Sequence, residues 1–191
     1  MNILLLGPQG SGKGTQADRI AAEYGIPHIA SGDMLRAAIA AGTPLGLQVK
    51  PIYEAGELVP DETMVGLIRE RLEEPDTTDG FVLDGFPRTI RQAEALDATL
   101  REIGQELTVV FALQVPDEIC IERLLGRAQI EGRPDDTPDA IRTRLEIYHR
   151  ETKPVIEHYR TQGILVTIHG ERTPNEVFAE IQAAVEQVAV R

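Results

Sequence analysis

The chain has 191 residues, of which 42% are hydrophobic and 26% charged, which suits one α/β domain with a sizeable core and small insertions. A formal net charge of −12 disfavours any general affinity for nucleic acid or an anionic membrane surface, so basic residues have to be judged where they cluster. Cys120 stands alone, which excludes an intrachain disulfide and a multi-cysteine metal site, fits a reducing cytoplasm, and reads as a small buried apolar residue.

Residues 1–6 are an apolar run of strand length, too short for the apolar region of a signal peptide, and no later run is long enough to span a membrane. A soluble, cytoplasmic protein is expected. The run feeds Gly7-Pro8-Gln9-Gly10-Ser11-Gly12-Lys13-Gly14-Thr15, and a helical pattern follows over residues 16–24. Strand, glycine-rich turn and helix in that order are the context of a phosphate-binding P-loop. Gly7, Gly10, Gly12 and Gly14 let several backbone N–H groups approach one polyphosphate, and the helix N-terminus adds partial positive charge. Lys13, one of only three lysines, supplies a mobile full charge for the β and γ phosphates. A dinucleotide fingerprint fails, because its third glycine position is Thr15.

His28-Ile29-Ala30 is a short strand candidate, and Ser31 and Asp33 are candidate N-caps for a helix over residues 34–41. Arg36 in its first turn is poorly placed at a positive helix end, so it either points to solvent or meets an anion. Gly42-Thr43-Pro44 breaks the helix, a second runs over residues 45–55, and residues 56–60 form a loop. Asp61 is expected to cap a third helix, with Met64, Val65, Leu67, Ile68 and Leu72 on its apolar side. Several short helices between two strands look like an insertion that covers a site.

Phe81-Val82-Leu83 reads as a buried strand ending in Asp84, followed by Gly85-Phe86-Pro87-Arg88. A carboxylate at the carboxyl end of a strand, in a chain with a P-loop, is placed to organise magnesium. A helix over residues 89–101, a strand over residues 108–115, a helix from Pro116-Asp117 and a polar loop over residues 129–138 come next. This alternation implies a parallel sheet with right-handed crossovers. Arg123 and Arg127 share a helix face at i, i+4, Arg133 follows in the loop, and Arg142 and Arg144 lie on the next helix. Taken alone they read as a solvated face paired to Glu122, Glu131, Asp135 and Asp136; beside a P-loop, arginines that clamp a transferring phosphoryl are the better reading.

A long helix over residues 139–159 contains Pro154, so a kink is expected near Arg150. The last strand covers residues 164–168, and Thr173-Pro174-Asn175-Glu176 is a capping box opening the final helix. The histidines His28, His149, His158 and His169 show no pairing with carboxylates or cysteine at ligand spacing, so no metal is assigned to them.

With residues 7–15, Ser31-Gly32-Asp33-Met34-Leu35-Arg36, residues 84–88 with Gln92, and Gly132-Arg133-Pro134-Asp135-Asp136 all in order, the chain resembles the adenylate kinase family from end to end. The resemblance implies a P-loop α/β/α fold of three layers with a five-stranded parallel sheet. It divides the chain into a core (1–30, 74–127 and 139–191), a helical insertion for the nucleoside monophosphate (31–73) and a short lid (128–138). It also implies transfer of a phosphoryl from Mg-ATP to AMP, giving two ADP, by a monomer. ATP would lie on Gly10, Ser11, Gly12, Lys13, Gly14 and Thr15, with Arg123, Arg127 and Gly170. AMP would lie on Ser31, Arg36, Glu57, Leu58, Val59, Gly85, Phe86, Arg88 and Gln92. Lys13, Arg88, Arg123, Arg133 and Arg144 would surround the transferring group, the last two also reaching AMP, and Asp84 would organise magnesium through water.

The family usually has proline immediately before the second glycine of the loop, whereas here Pro8 and Gln9 stand in the other order, a change of loop stiffness rather than of phosphate chemistry. Gly14 then Thr15 follow the lysine, as in the family, so coordination of magnesium by that hydroxyl is not assumed. The lid lacks cysteine, like the short-lid members without zinc. A kinase of UMP and CMP is the nearest alternative, but those enzymes typically carry Ala and Asn where this chain has Ser31 and Gln92. A non-catalytic nucleotide sensor would leave Arg36 and Arg88 without a use.

Overall fold

The apolar run at the start of the chain becomes the central strand of a sheet covered on both faces. The computed structural model describes residues 1–133 and 135–189. In it, β1 (Asn2–Leu6), β2 (His28–Ala30), β3 (Phe81–Asp84), β4 (Val109–Gln114) and β5 (Leu165–His169) form one parallel sheet in the order β2-β3-β1-β4-β5. Side chains alternate along a strand, so Ile3 and Leu5 of β1 enter one core while Leu4 and Leu6 enter the other. The first core holds α1 (Lys13–Tyr24) and α9 (Pro174–Ala189) through Ala17, Ile20, Val177, Ile181 and Val185. The second holds α5 (Ile90–Glu102) and α8 (Lys153–Thr161) through Ala93, Leu96, Leu100, Val155 and Tyr159. Burial on both faces is why these strands read as continuous apolar runs rather than alternating ones.

Between β2 and β3 lie α2 (Ser31–Ala40), α3 (Pro44–Glu54) and α4 (Asp61–Leu72), and after β4 come α6 (Asp117–Glu131) and α7 (Pro138–Ile147). Strand order reverses around β1, because the chain goes to β2 and β3 on one side and to β4 and β5 on the other. The carboxyl end of β1 is therefore the switch point at which open α/β sheets bind ligands. Register places Asp84 beside Leu5, so the acid stands next to the start of the glycine-rich loop.

Four local expectations are corrected. Ser31 is the first residue of α2 rather than its cap; Ala30 takes the cap position, with no side-chain hydrogen bond. Pro60 caps α4, and the Asp61 carboxylate is instead engaged by α5 and the residue before it. α6 continues through Glu131, which shortens the polar loop. The kink expected near Arg150 is a π-helical turn, Tyr148–Thr152, that carries α7 into α8 and leaves Pro154 in the first turn of α8, where its missing N–H costs nothing. The capping box at α9 forms as the spacing demands: Thr173 N–H donates to Glu176 at 3.0 Å, and Glu176 N–H donates to Thr173 Oγ1 at 3.4 Å.

Candidate active site

The glycine-rich loop is shaped by contacts that only glycine permits. At Gly10, with φ of 81°, a Cβ would stand 2.6 Å from the Cys120 carbonyl oxygen and 2.9 Å from Leu124 Cγ, so the loop lies directly on α6. Gly12, with φ of 93°, turns the chain into α1, and no side chain caps that helix. The first-turn N–H groups of α1 are thus left for an anion. Lys13 Nζ donates to the carbonyl oxygens of Gly7 (2.9 Å) and Pro8 (2.8 Å). Its burial at the floor of the site lowers its pKa, an effect opposed by Asp84 and reinforced by Arg88.

This loop forms one wall of a cleft of about 440 Å³, a volume suited to small ligands. Lys13, Gly14, Thr15, Arg36, Glu57, Leu58, Asp84, Gly85, Phe86, Arg88, Arg123, Arg127, Arg133 and Arg144 all border it. Ser11, Ser31, Val59, Gln92 and Gly170 are not among the residues that line it. Asp84 has a buried oxygen, Oδ1, without a hydrogen-bond partner. The Ser31 hydroxyl is also buried and unpartnered, close to where a Cβ on Gly85 would fall.

The arginines divide by what holds them. Arg36 borders the cleft, paired with Asp33 and donating to the Tyr53 hydroxyl at 2.5 Å. Arg127 donates to Asp136 through Nε (2.7 Å) and Nη2 (2.8 Å). Arg144 donates to Asp136 at 3.0 Å and to Asp135 at 2.8 Å, and its guanidinium lies 5.6 Å over the Tyr53 ring. These two acids are buried, so the solvated-face reading is corrected for Asp135 and Asp136. Burial acts to raise the Asp135 pKa, but the Arg144 partner outweighs it and the net shift is downward. Arg142, by contrast, pairs with Asp139 in solvent. Pro134 lies outside the described residues.

Arg88 and Arg123 are held by neutral oxygens. Arg123 donates to the carbonyls of Gly170 (3.0 Å), Ser11 (3.4 Å) and Glu171 (3.4 Å), which fixes it over the P-loop. Arg88 donates through Nε to Gly85 O at 2.8 Å, and both terminal nitrogens lie 3.2 Å from the end of the Gln9 amide that hydrogen-bond complementarity assigns as its oxygen. Its surroundings lower its pKa, first through burial and then through the positive charge of Arg144. The backbone of Arg88 is pinned as well: its N–H donates to Gln92 Oε1 at 2.7 Å, and its carbonyl accepts from Thr152 Oγ1 at 2.9 Å. Gln92 spends its other end on Asp61, donating from Nε2 at 2.8 Å, so its amide is committed to the protein at both ends.

Each histidine ring approaches a carboxylate distant in sequence. His28 meets Asp18 at 2.8 Å, His149 meets Asp117 at 2.8 Å, His158 meets Asp97 at 2.9 Å and His169 meets Glu180 at 2.9 Å. Among the described residues no group of three or more His, Cys, Asp and Glu could hold a metal. Tyr53, Tyr148 and Thr152 border the cleft as well, and Tyr53 and Thr152 carry no signal in the sequence because their partners Arg36 and Arg88 lie 17 and 64 residues away. Cys120 lies beneath the P-loop, and burial pushes its thiol up to about 11, which makes it an inert packing group. No helix among the described residues is long and apolar enough to cross a membrane.

A family model for adenylate kinase matches residues 5–164. An adenylate kinase of Stenotrophomonas maltophilia strain K279a is 48% identical over 186 residues, covering 97% of this chain and 100% of that protein. Adenylate kinases of Xylella fastidiosa strain 9a5c and Xanthomonas campestris pv. campestris strain 8004 are each 48% identical over 185 residues, 97% of this chain and 99% of theirs.

Proposed function

Because the chain belongs to the adenylate kinase family, it is a phosphotransferase acting between ATP and AMP, and we propose that it works by holding the two nucleotides phosphate to phosphate across the cleft beside its P-loop. One observation carries this reading: the P-loop with Lys13 and a second set of cations, Arg36 and Arg88, border the same cavity from opposite elements. A protein that only bound ATP would have no use for the second set.

In this assignment residues 31–73 form the insertion that takes AMP, residues 128–138 are the lid, and the rest is the core. The first four lid residues continue α6. The donor triphosphate lies on Gly10, Ser11, Gly12, Lys13, Gly14 and Thr15, under Arg123 and beside Arg127 and Gly170. AMP lies against Ser31, Arg36, Glu57, Leu58, Val59, Gly85, Phe86 and Arg88. For Gln92 to reach the base it must exchange the bond to Asp61 or the one to Arg88, both of which it makes in this structure.

The attacking AMP oxygen is already ionised, so a general base has little to do, and the work is alignment and charge neutralisation. Lys13 and Arg123 hold the donor phosphates, Arg88 and Arg36 hold the acceptor phosphate, and Arg133 and Arg144 approach the group in transfer. Asp84 suits a magnesium ion: its buried Oδ1 lacks a partner and its carboxylate lies beside the P-loop, so it would hold the ion through water. When bound, the ion offsets charge on the phosphate oxygens. Closure of residues 132–137 over both nucleotides would exclude water, the competing acceptor. A zinc-free lid and a cytoplasmic monomer complete the reading. The test is a coupled assay with Mg-ATP and each of AMP, CMP, UMP and GMP; preferred turnover of AMP is expected, and turnover of CMP or UMP in its place would overturn the assignment of the acceptor site.

A further inference from the structure

Gln9 occupies the tip of the P-loop, yet its side chain points to the other nucleotide's side of the cleft. Its amide has one sensible orientation, with oxygen toward Arg88, because the reverse would set N–H groups against N–H groups. An oxygen 3.2 Å from both terminal nitrogens stands at the end of the guanidinium fork and uses one N–H of each, leaving one N–H per nitrogen for a further acceptor. The remaining donor of Arg88, Nε–H, is taken by the Gly85 carbonyl. Both oxygens that hold this guanidinium are therefore neutral, whereas Arg36, Arg127 and Arg144 are each tied to carboxylates. A carboxylate partner cancels an arginine's charge toward an incoming anion, and an amide oxygen fixes its direction while leaving that charge whole.

From this geometry, and resting on the assignment of Arg88 to the acceptor phosphate, we propose that Gln9 is a positioning residue for AMP: it reaches from the donor loop to hold Arg88 end-on without neutralising it. The order Pro8, Gln9 then bears on phosphate chemistry as well as on loop stiffness. It also ties the two phosphate sites together, since the loop that carries the donor carries the brace of the acceptor arginine.

The test uses the full chain with two substitutions, Gln9→Ala and Gln9→Glu, compared with wild type by initial rates with Mg-ATP and AMP varied separately and by calorimetric titration of AMP alone. Gln9→Ala removes the brace, so KM for AMP should rise roughly three- to tenfold, the scale of one hydrogen bond, while KM for ATP moves by less than about twofold. Gln9→Glu keeps an acceptor oxygen but adds the charge that cancels Arg88, so AMP should bind more weakly to it than to Gln9→Ala. Matching thermal melts would show that both variants fold. The proposal is overturned if Gln9→Ala leaves KM for AMP unchanged, if both KM values rise together as a distorted P-loop would cause, or if Gln9→Glu binds AMP as well as Gln9→Ala does. A wild type that does not phosphorylate AMP overturns the functional reading instead, and this inference with it; a competent wild type beside an unmoved Gln9→Ala overturns the inference alone.

Discussion

Replacing Asp136 with asparagine should destabilise the protein more than any change to its surface charges. The carboxylate is fully buried and accepts from Arg127 Nε at 2.7 Å, Arg127 Nη2 at 2.8 Å and Arg144 Nη1 at 3.0 Å. Asparagine fits the space but turns N–H groups toward donors and removes the negative charge that both guanidiniums share. Breaking a buried ion pair in this way costs roughly 3–5 kcal/mol. Arg127 is 27% exposed, so water can replace part of its loss, whereas Arg144 at 5% has no such recourse. The low end, about 3 kcal/mol, is therefore expected, which for a domain of this size lowers Tm by roughly 6–12 °C. Thermal unfolding followed by circular dichroism reads it directly. Arg142→Ala is the control, because its pair with Asp139 is solvated and worth only about 0–1 kcal/mol. A Tm for Asp136→Asn within about 2 °C of the control would refute the claim that this quartet anchors the base of the loop.

Three further outcomes are expected. Lys13→Met should keep the circular dichroism spectrum and lose about 10²- to 10³-fold in kcat, because it removes the mobile cation from the donor phosphates; near wild-type turnover would sink the assignment of the loop. Arg133→Ala should lower kcat by less than about 10³-fold with Tm nearly unchanged, since Arg123 and Arg144 remain at the cleft, and a full-rate variant would remove this arginine from the mechanism. The Asp135 carboxyl is held below its ordinary value of about 3.9, so its stabilisation is fully present above that pH and is lost as pH falls through the lower, folded value. The Tm difference between wild type and Asp135→Asn should be flat above about pH 5 and shrink below about pH 4, and a difference that shrinks between pH 7 and pH 5 would contradict that sign.

What was legible in the sequence was local, and its physical reason is that neighbouring residues impose it. The apolar run of residues 1–6, the positive-φ turn at Gly10 and Gly12, and the Thr173 and Glu176 capping pair all act within a few residues of themselves, so spacing alone reveals them. The alternation of strand and helix likewise led to a parallel sheet, because crossovers between adjacent parallel strands have one favoured hand. Helix starts are less local: Ser31 and Asp61 can serve either as caps or in longer-range contacts, and in the fold Ala30 and Pro60 take the cap positions.

The tertiary structure alone decided which charges meet. The histidine–carboxylate pairs join residues 10 to 61 positions apart, and the Gln92–Asp61 bond spans 31. A one-dimensional pattern gives no preference among the chain's 31 acidic residues as partners. The same holds for the arginines: the sequence supplied their number and helical phase, but packing α6 against α7 buried Asp135 and Asp136 between Arg127 and Arg144, while Arg88 and Arg123 were left on neutral oxygens. Composition and spacing thus determined that cations gather near a phosphate-binding loop. Which of them keep their charge toward a ligand depends on desolvation and on the nearest carboxylate, and both are set only when distant segments pack together.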